Sequence, residues 1–397
     1  MGYYNNNRRS NNRPRYSRGG NAGSRGRNKS FDPRTIINKS LESEEVNVAE
    51  MPYDIRHQFV DFGLSENMIK NVLDHGYETP TPIQDQAIPE IMKGNDVVGV
   101  ANTGTGKTAA FLIPLINKVH NNKNSRVLII APTRELAVQI NDELEVFSKN
   151  LSIYSAICIG GVSLRGQVIR LQRRPQFVIG TPGRLLDLAN QRVLDFNSFD
   201  TIVLDEVDRM LDMGFISSID DIISQLPRER QSLFFSATLD ASVHQVMSRF
   251  IHNPVMISVK TTDSRKNIEQ DIIELRGRNK ADLLCQILDE AEVIKTLIFM
   301  RTKRSADMLQ RNLSGIGFNS AVMHGNKTQN QRQRSLDLFR SNKVNILIAT
   351  DVAARGIDVE DITHVINFDL PESYDAYIHR IGRTGRADKK GIAITFV

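Results

Sequence analysis

Eight residues, Ala101-Asn102-Thr103-Gly104-Thr105-Gly106-Lys107-Thr108, follow directly on the apolar run Val97–Val100 and precede a long amphipathic stretch. Such a loop is useful only between a strand and a helix. Its glycines let backbone N–H groups converge on phosphate oxygens, and the helix behind adds the positive end of its dipole. The chain must therefore hold a strand–loop–helix unit of an α/β sheet. In that setting Gly104, Thr105 and Gly106 cradle phosphates with Thr103 beside them, Lys107 reaches the β- and γ-phosphates and Thr108 ligates Mg²⁺. Ala101 stands where the general pattern opens with Gly.

The same alternation runs on for 300 residues. Strands are expected at Val97–Val100, Arg126–Ala131, Ile153–Ile159, Phe177–Gly180, Thr201–Asp205, Leu233–Ser236 and Val255–Val259, then at Asp271–Leu275, Thr296–Met300, Ser320–Met323, Asn345–Thr350, His364–Phe368 and Ile392–Phe396. Helical stretches separate nearly all of them, which predicts right-handed crossovers and mostly parallel sheets. A polar stretch at 259–267 divides the series. Two α/β domains are expected, 55–258 and 268–397, joined by that linker.

Charge is distributed unevenly. The net charge is +5, yet residues 1–40 alone carry +9, which leaves −4 for the rest. Residues 1–30 hold seven Asn, seven Arg and five Gly with almost no aliphatics. A segment of that kind cannot bury enough apolar surface to offset its ordering entropy, so residues 1–50 are read as a disordered tail. Arg18-Gly19-Gly20 and Ser24-Arg25-Gly26-Arg27 suit a polyanion such as RNA; a solubilising role is the plainer alternative. No apolar run reaches the roughly 18 residues of a membrane span, and no secretory signal opens the chain. Cys158 and Cys285 fall in different halves, which excludes a disulfide framework or a cysteine metal cluster and points to a reducing, cytoplasmic setting. A monomer is the default expectation.

Asp205-Glu206-Val207-Asp208 ends the apolar run Thr201–Leu204. Carboxylates at the end of a buried parallel strand face the ligand crevice. Asp205 could hold Mg²⁺ and Glu206 could deprotonate an attacking water. Taken alone, the same acids could simply cap the next helix.

From about residue 55 to the end, the chain resembles the DEAD-box RNA helicases of helicase superfamily 2. Gly76-Tyr77-Glu78-Thr79-Pro80-Thr81-Pro82-Ile83-Gln84 is similar to the family's adenine-reading segment, which implies that Tyr77 and Gln84 lie at the base. Phe59, 17 residues before Gly76, takes the place of the adenine-stacking aromatic. The resemblance assigns RNA-backbone contacts to Pro132, Thr133, Arg134, Gly160, Gly161, Thr181, Pro182, Gly183, Arg184 and Thr350. It gives Ser236, Thr238, Asp208 and His379 the coupling of hydrolysis to strand separation. Asp358 is implied near the ribose, and Arg383 and Arg386 as the arginine fingers. Leu297–Lys303 and Gln329–Arg340 match weaker motifs, with no role assigned.

The resemblance implies two tandem RecA-like domains that close on ATP, Mg²⁺ and single-stranded RNA, and an RNA-stimulated ATPase that separates short duplexes. An ATP-gated RNA clamp and a DNA-directed motor of the same superfamily are the alternatives. Two departures stand out. Val207 replaces the Ala of the family name, and the chain ends at Thr395-Phe396-Val397, soon after the last motif.

Overall fold

The computed structural model describes residues 53–397 apart from 103, 240, 252, 260–266, 291–292, 355–358, 360 and 386–388. The expected tail, most of the expected linker, and the site candidates Thr103, Asp358 and Arg386 lie outside the described residues.

Two parallel sheets carry the chain. The first is built from β1 (Val97–Val100), β2 (Val127–Ile130), β3 (Ser155–Cys158), β4 (Phe177–Gly180), β5 (Thr201–Leu204), β6 (Gln231–Ser236) and β7 (Val255–Ser258), in the order β3-β4-β2-β5-β6-β1-β7. Its inner strands β2, β4, β5 and β6 are buried at every position, as strands covered by helices on both faces must be. The second comprises β8 (Ile268–Ile273), β9 (Thr296–Met300), β10 (Ser320–Met323), β11 (Ile346–Thr350), β12 (His364–Asn367) and β13 (Gly391–Phe396), in the order β10-β11-β9-β12-β13-β8. Apolar cores lie on both faces of each sheet. This is the architecture of tandem RecA-like domains.

Most strands fall within two residues of expectation at either end, and one departs further. β8 runs over Ile268–Ile273 rather than Asp271–Leu275, paired with β13 from Gly391↔Ile268 to Phe396↔Ile273. It is an edge strand with polar residues at Glu269, Gln270 and Asp271, so its apolar signal is diluted where pairing begins. The last strand is paired on both sides, and Phe396 is fully buried. Among the described residues, no helix is long and apolar enough to cross a membrane.

Candidate nucleotide and nucleic-acid site

β1 delivers the chain into the glycine loop, where Gly104 and Gly106 take φ of 83° and 88°, a backbone conformation that L side chains resist. The helix Lys107–Asn121 starts immediately behind. Lys107 is 7% exposed and its Nζ donates to the Ala101 carbonyl. Burial lowers the Lys107 pKa, while Asp205, Glu206 and Asp208 oppose that shift. The loop is braced from the preceding helix, Pro82–Met92. Gln84 Nε2 donates to the Gly106 carbonyl at 3.1 Å, and Thr81 Oγ1 donates to the Thr105 carbonyl at 2.8 Å. A Cβ on Gly106 would strike the Gln84 amide.

β5 ends on the acids. Asp205 and Glu206 are 2% and 7% exposed, and Asp205 Oδ1 accepts from the Glu206 N–H at 3.0 Å. Burial and the neighbouring Glu206 push Asp205 above the ordinary carboxylate range, with Lys107 opposing. Glu206 sits at φ 54°, ψ 53°, an unusual left-handed turn that starts the helix Val207–Asp212. Its Oε2 meets Arg209 Nη1 at 2.5 Å, a buried partner the sequence reading did not include. Val207 is fully buried in the core. Asp208 turns the other way: its Oδ2 accepts from the N–H groups of Ala237 and Thr238 at 3.1 and 3.2 Å. The acid strand is thereby tied to the segment that follows directly on Ser236, the last residue of β6.

These groups suit a divalent ion. No cluster of three or more His, Cys, Asp or Glu among the described residues could hold a metal alone. Mg²⁺ needs no such cage, because one carboxylate, a hydroxyl, waters and substrate phosphates complete its shell. Asp205 and Thr108, the latter at the start of the helix Lys107–Asn121, offer a carboxylate and a hydroxyl of that kind.

The adenine candidates differ in exposure. Phe59 is 2% exposed and belongs to the core, with its ring edge-on to Phe62 at 6.0 Å and to Tyr77 at 6.4 Å. Tyr77 is the half-buried aromatic of the pair. Gln84 is fully buried, and its Oε1 accepts from the Thr81 N–H at 3.0 Å. Its carboxamide retains one lone pair and one N–H.

A second cleft, of about 500 Å³, gathers Pro132, Thr133, Arg134, Gly160, Thr181, Gly183 and Arg184 from the loops after β2, β3 and β4. Arg332 and Val352, on helices of the second half, complete it. The Arg134 guanidinium lies over Gly160 and Gly161, so a Cβ on either glycine would collide with it. Arg184 Nη1 is buried and has no hydrogen-bond partner, a donor poised for an anion. Pro182 starts a helix and is buried, Gly161 lies beside Arg134 and Gln329, and Thr350 is 7% exposed at the end of β11. Asp187, Met213 and Phe215 line the cleft without having been anticipated.

The two halves meet at this cleft. Glu135, 2% exposed, accepts from Gln329 Nε2 at 2.9 Å and pairs with Arg332 Nη2 at 3.0 Å. Arg340 Nη2 reaches Gln139 at 3.4 Å further along the same two helices. Sequence had marked Gln329–Arg340 only as a weak motif. The Gln329-x-x-Arg332 spacing, which puts both side chains on one helical face, was the available signal. His379 is also drawn into the interface. Burial, Arg209 and Arg383 hold its pKa below the ordinary histidine value, opposed by Asp208 and Asp212. Arg383 is 4% exposed, and its Nε donates to the His379 carbonyl at 3.3 Å. Arg380, which the sequence left without a role, braces the segment with both nitrogens of its fork on Asp351, at 2.6 and 2.7 Å.

A glycine loop, a strand-end acid pair and a basic cleft spanning two RecA-like sheets define a nucleotide-driven motor of the helicase type. The DEAD/DEAH box helicase family model matches residues 81–246, and the helicase conserved C-terminal domain model matches residues 279–388. The chain belongs to the DEAD-box helicase family.

Curated relatives include the ATP-dependent RNA helicase CshA of Listeria monocytogenes, 44% identical over 86% of this chain and 66% of that protein. CshA of Limosilactobacillus reuteri is 42% identical, over 86% and 69%. RhpA of Helicobacter pylori is 41% identical, over 89% and 73%. The chain thus spans about two thirds of the length of the relatives it matches. Among solved structures, S. cerevisiae Dbp5 bound to RNA and ADP BeF3 superposes with TM-score 0.76 at 30% identity, covering 86% of this chain and 90% of that one. Mss116 bound to ssRNA and UDP-BeF gives 0.78 at 28%, covering 88% and 76%.

Proposed function

We propose that this chain is an ATP-dependent RNA helicase: an RNA-stimulated ATPase that closes two RecA-like domains on single-stranded RNA and locally separates short duplexes. The observation that carries the reading is the contact of Glu135 with Gln329 and Arg332 beside the basic cleft, which joins both halves around one ligand path. The same halves face each other at the nucleotide side through His379, Asp208 and Arg209.

In this reading the amides around Gly104, Thr105 and Gly106, together with Lys107, bind the phosphates, with Tyr77 and Gln84 at the base. Thr103 and Asp358 belong to the same nucleotide set. Mg²⁺, held by Thr108 and Asp205, supplies positive charge to the phosphate oxygens when bound. Glu206 takes the proton of the attacking water, and Arg209 holds its carboxylate in place. Arg383, with Arg386, neutralises charge on the transferring phosphoryl group once the halves are closed. Arg134, Arg184 and the loop amides after β2, β3 and β4 grip the sugar-phosphate backbone with Thr350, without reading bases. Asp208 carries the state of the acid strand to Ala237 and Thr238, which couples hydrolysis to reopening. The tail at 1–50 adds an auxiliary RNA contact, and the protein works in the cytoplasm as a monomer.

Steady-state ATP hydrolysis with single-stranded RNA, single-stranded DNA or no nucleic acid tests the proposal. Stimulation by RNA alone is expected. Equal stimulation by DNA would contradict the RNA assignment, and RNA binding without stimulation would leave an ATP-gated clamp.

A further inference from the structure

Next to Gln84 stands a carboxylate that the nucleotide reading does not use. Asp85 is 1% exposed, and segment 53–57 wraps round it. Its Oδ2 accepts from the Tyr53 hydroxyl at 2.6 Å and from the Arg56 N–H at 3.1 Å. Its Oδ1 accepts from the His57 N–H at 3.0 Å and contacts His57 Nδ1 at 2.7 Å. A carboxylate offers about four lone-pair positions, and all four are taken, two on each oxygen. Asp85 therefore has no capacity left for a ligand. What it holds is the segment 53–57, some 30 residues away in sequence.

Both ends of this clasp lead into the nucleotide pocket. Upstream, His57 is followed by the 3-10 turn Phe59–Phe62, which supports Tyr77 from below, and the His57 ring lies 5.6 Å from Phe62. Downstream, the neighbouring Gln84 bonds to the Gly106 carbonyl, and Thr81 bonds to the Thr105 carbonyl. A charge buried without solvent cannot give up one donor cheaply, because the unmatched lone pair then lacks any partner. The clasp thus sets the distance between the aromatic wall of the pocket and its phosphate loop.

We propose that Asp85 is a positioning residue for nucleotide recognition, and that Tyr53, Arg56 and His57 form with it a clasp fixing the Phe59–Tyr77 wall against Gln84 and the phosphate loop. The proposal rests on the assignment of this pocket to ATP. It makes segment 53–57 part of the nucleotide site through the residues it positions.

The test uses the full chain with Tyr53→Phe and Asp85→Asn. Tyr53→Phe removes one hydroxyl from the protein's edge and should leave the fold intact. Asp85→Asn keeps the shape and sets an NH₂ against donors. For both, ATPase in saturating RNA, thermal unfolding, and the preference for ATP over GTP are measured. Tyr53→Phe is expected to raise KM for ATP roughly fivefold, hold kcat within about twofold and weaken the ATP preference, with Tm nearly unchanged. Asp85→Asn should do the same more strongly and lower Tm. Unchanged KM and base preference in both variants, with Tm lowered in Asp85→Asn, would make the clasp a structural tether and overturn the proposal. Binding of a fluorescent ATP analogue to the parent separates the two levels. A parent that neither binds nor hydrolyses ATP overturns the pocket assignment and the clasp's role with it.

Discussion

At the residue scale, the chemistry depends on side chains that are costly to place. Glu206 occupies a left-handed turn no β-strand would impose, and Arg209 holds its carboxylate at 2.5 Å. Replacing Glu206 by Gln keeps size and burial but removes the proposed base. The expected outcome is a kcat about 100-fold lower with nucleotide binding retained, read by steady-state turnover and by titration of a fluorescent ATP analogue. Gly161 tests the other ligand. It lies at φ 79° under the Arg134 guanidinium. Gly161→Ala adds strain of about 1 kcal/mol and pushes Arg134 out of place. RNA affinity should fall roughly tenfold, the scale of one lost charge-assisted phosphate bond, while KM for ATP in the absence of RNA stays put. Anisotropy of a labelled single-stranded RNA reads the first and basal ATPase the second.

At the element scale, much was open to sequence reading. Val97–Val100 and Phe177–Gly180 form strands with the expected boundaries, because each is a continuous apolar run closed by glycine or by the phosphate loop. β8 was misplaced because an edge strand buries only part of its length, so polar residues interrupt the signal. Glu135 with Arg332 was beyond reach for another reason: partners 197 residues apart are joined only by the meeting of two sheets, which no local period encodes. The Glu206–Arg209 pair at i,i+3 was legible in principle but has the same spacing as an ordinary surface pair. The helices Arg134–Phe147 and Gln329–Arg340 carry the contact between halves. In an open arrangement both ends of the Glu135–Arg332 pair would be hydrated, so its loss weighs on closure rather than on folding. Arg332→Met is expected to reduce RNA-stimulated turnover by at least about tenfold, since an unmatched buried carboxylate costs several kcal/mol. Tm should move by no more than a few degrees.

At the scale of the whole molecule, the proposed function couples two ligands through one interface. His379 reports on it, since its pKa is lowered by burial, Arg209 and Arg383 against the pull of Asp208 and Asp212. Arg209 belongs to the opposite half, so part of the shift arises only on closure. A depressed pKa means that closure favours neutral imidazole. The stabilisation is present above the ordinary histidine value of about 6.5 and lost as pH falls below it. RNA stimulation of ATPase should therefore decline from pH 7 to pH 5.5 more steeply than basal ATPase, and His379→Gln should flatten that difference. If each ligand favours closure, linkage requires each to tighten the other by the same factor. The most direct test is the equilibrium affinity for a labelled single-stranded RNA with and without a non-hydrolysable ATP analogue, in the parent and in Arg383→Ala. RNA should bind at least about tenfold more tightly with the analogue, and Arg383→Ala should abolish most of that gain. Equal RNA affinity in both nucleotide conditions would contradict coupling through domain closure.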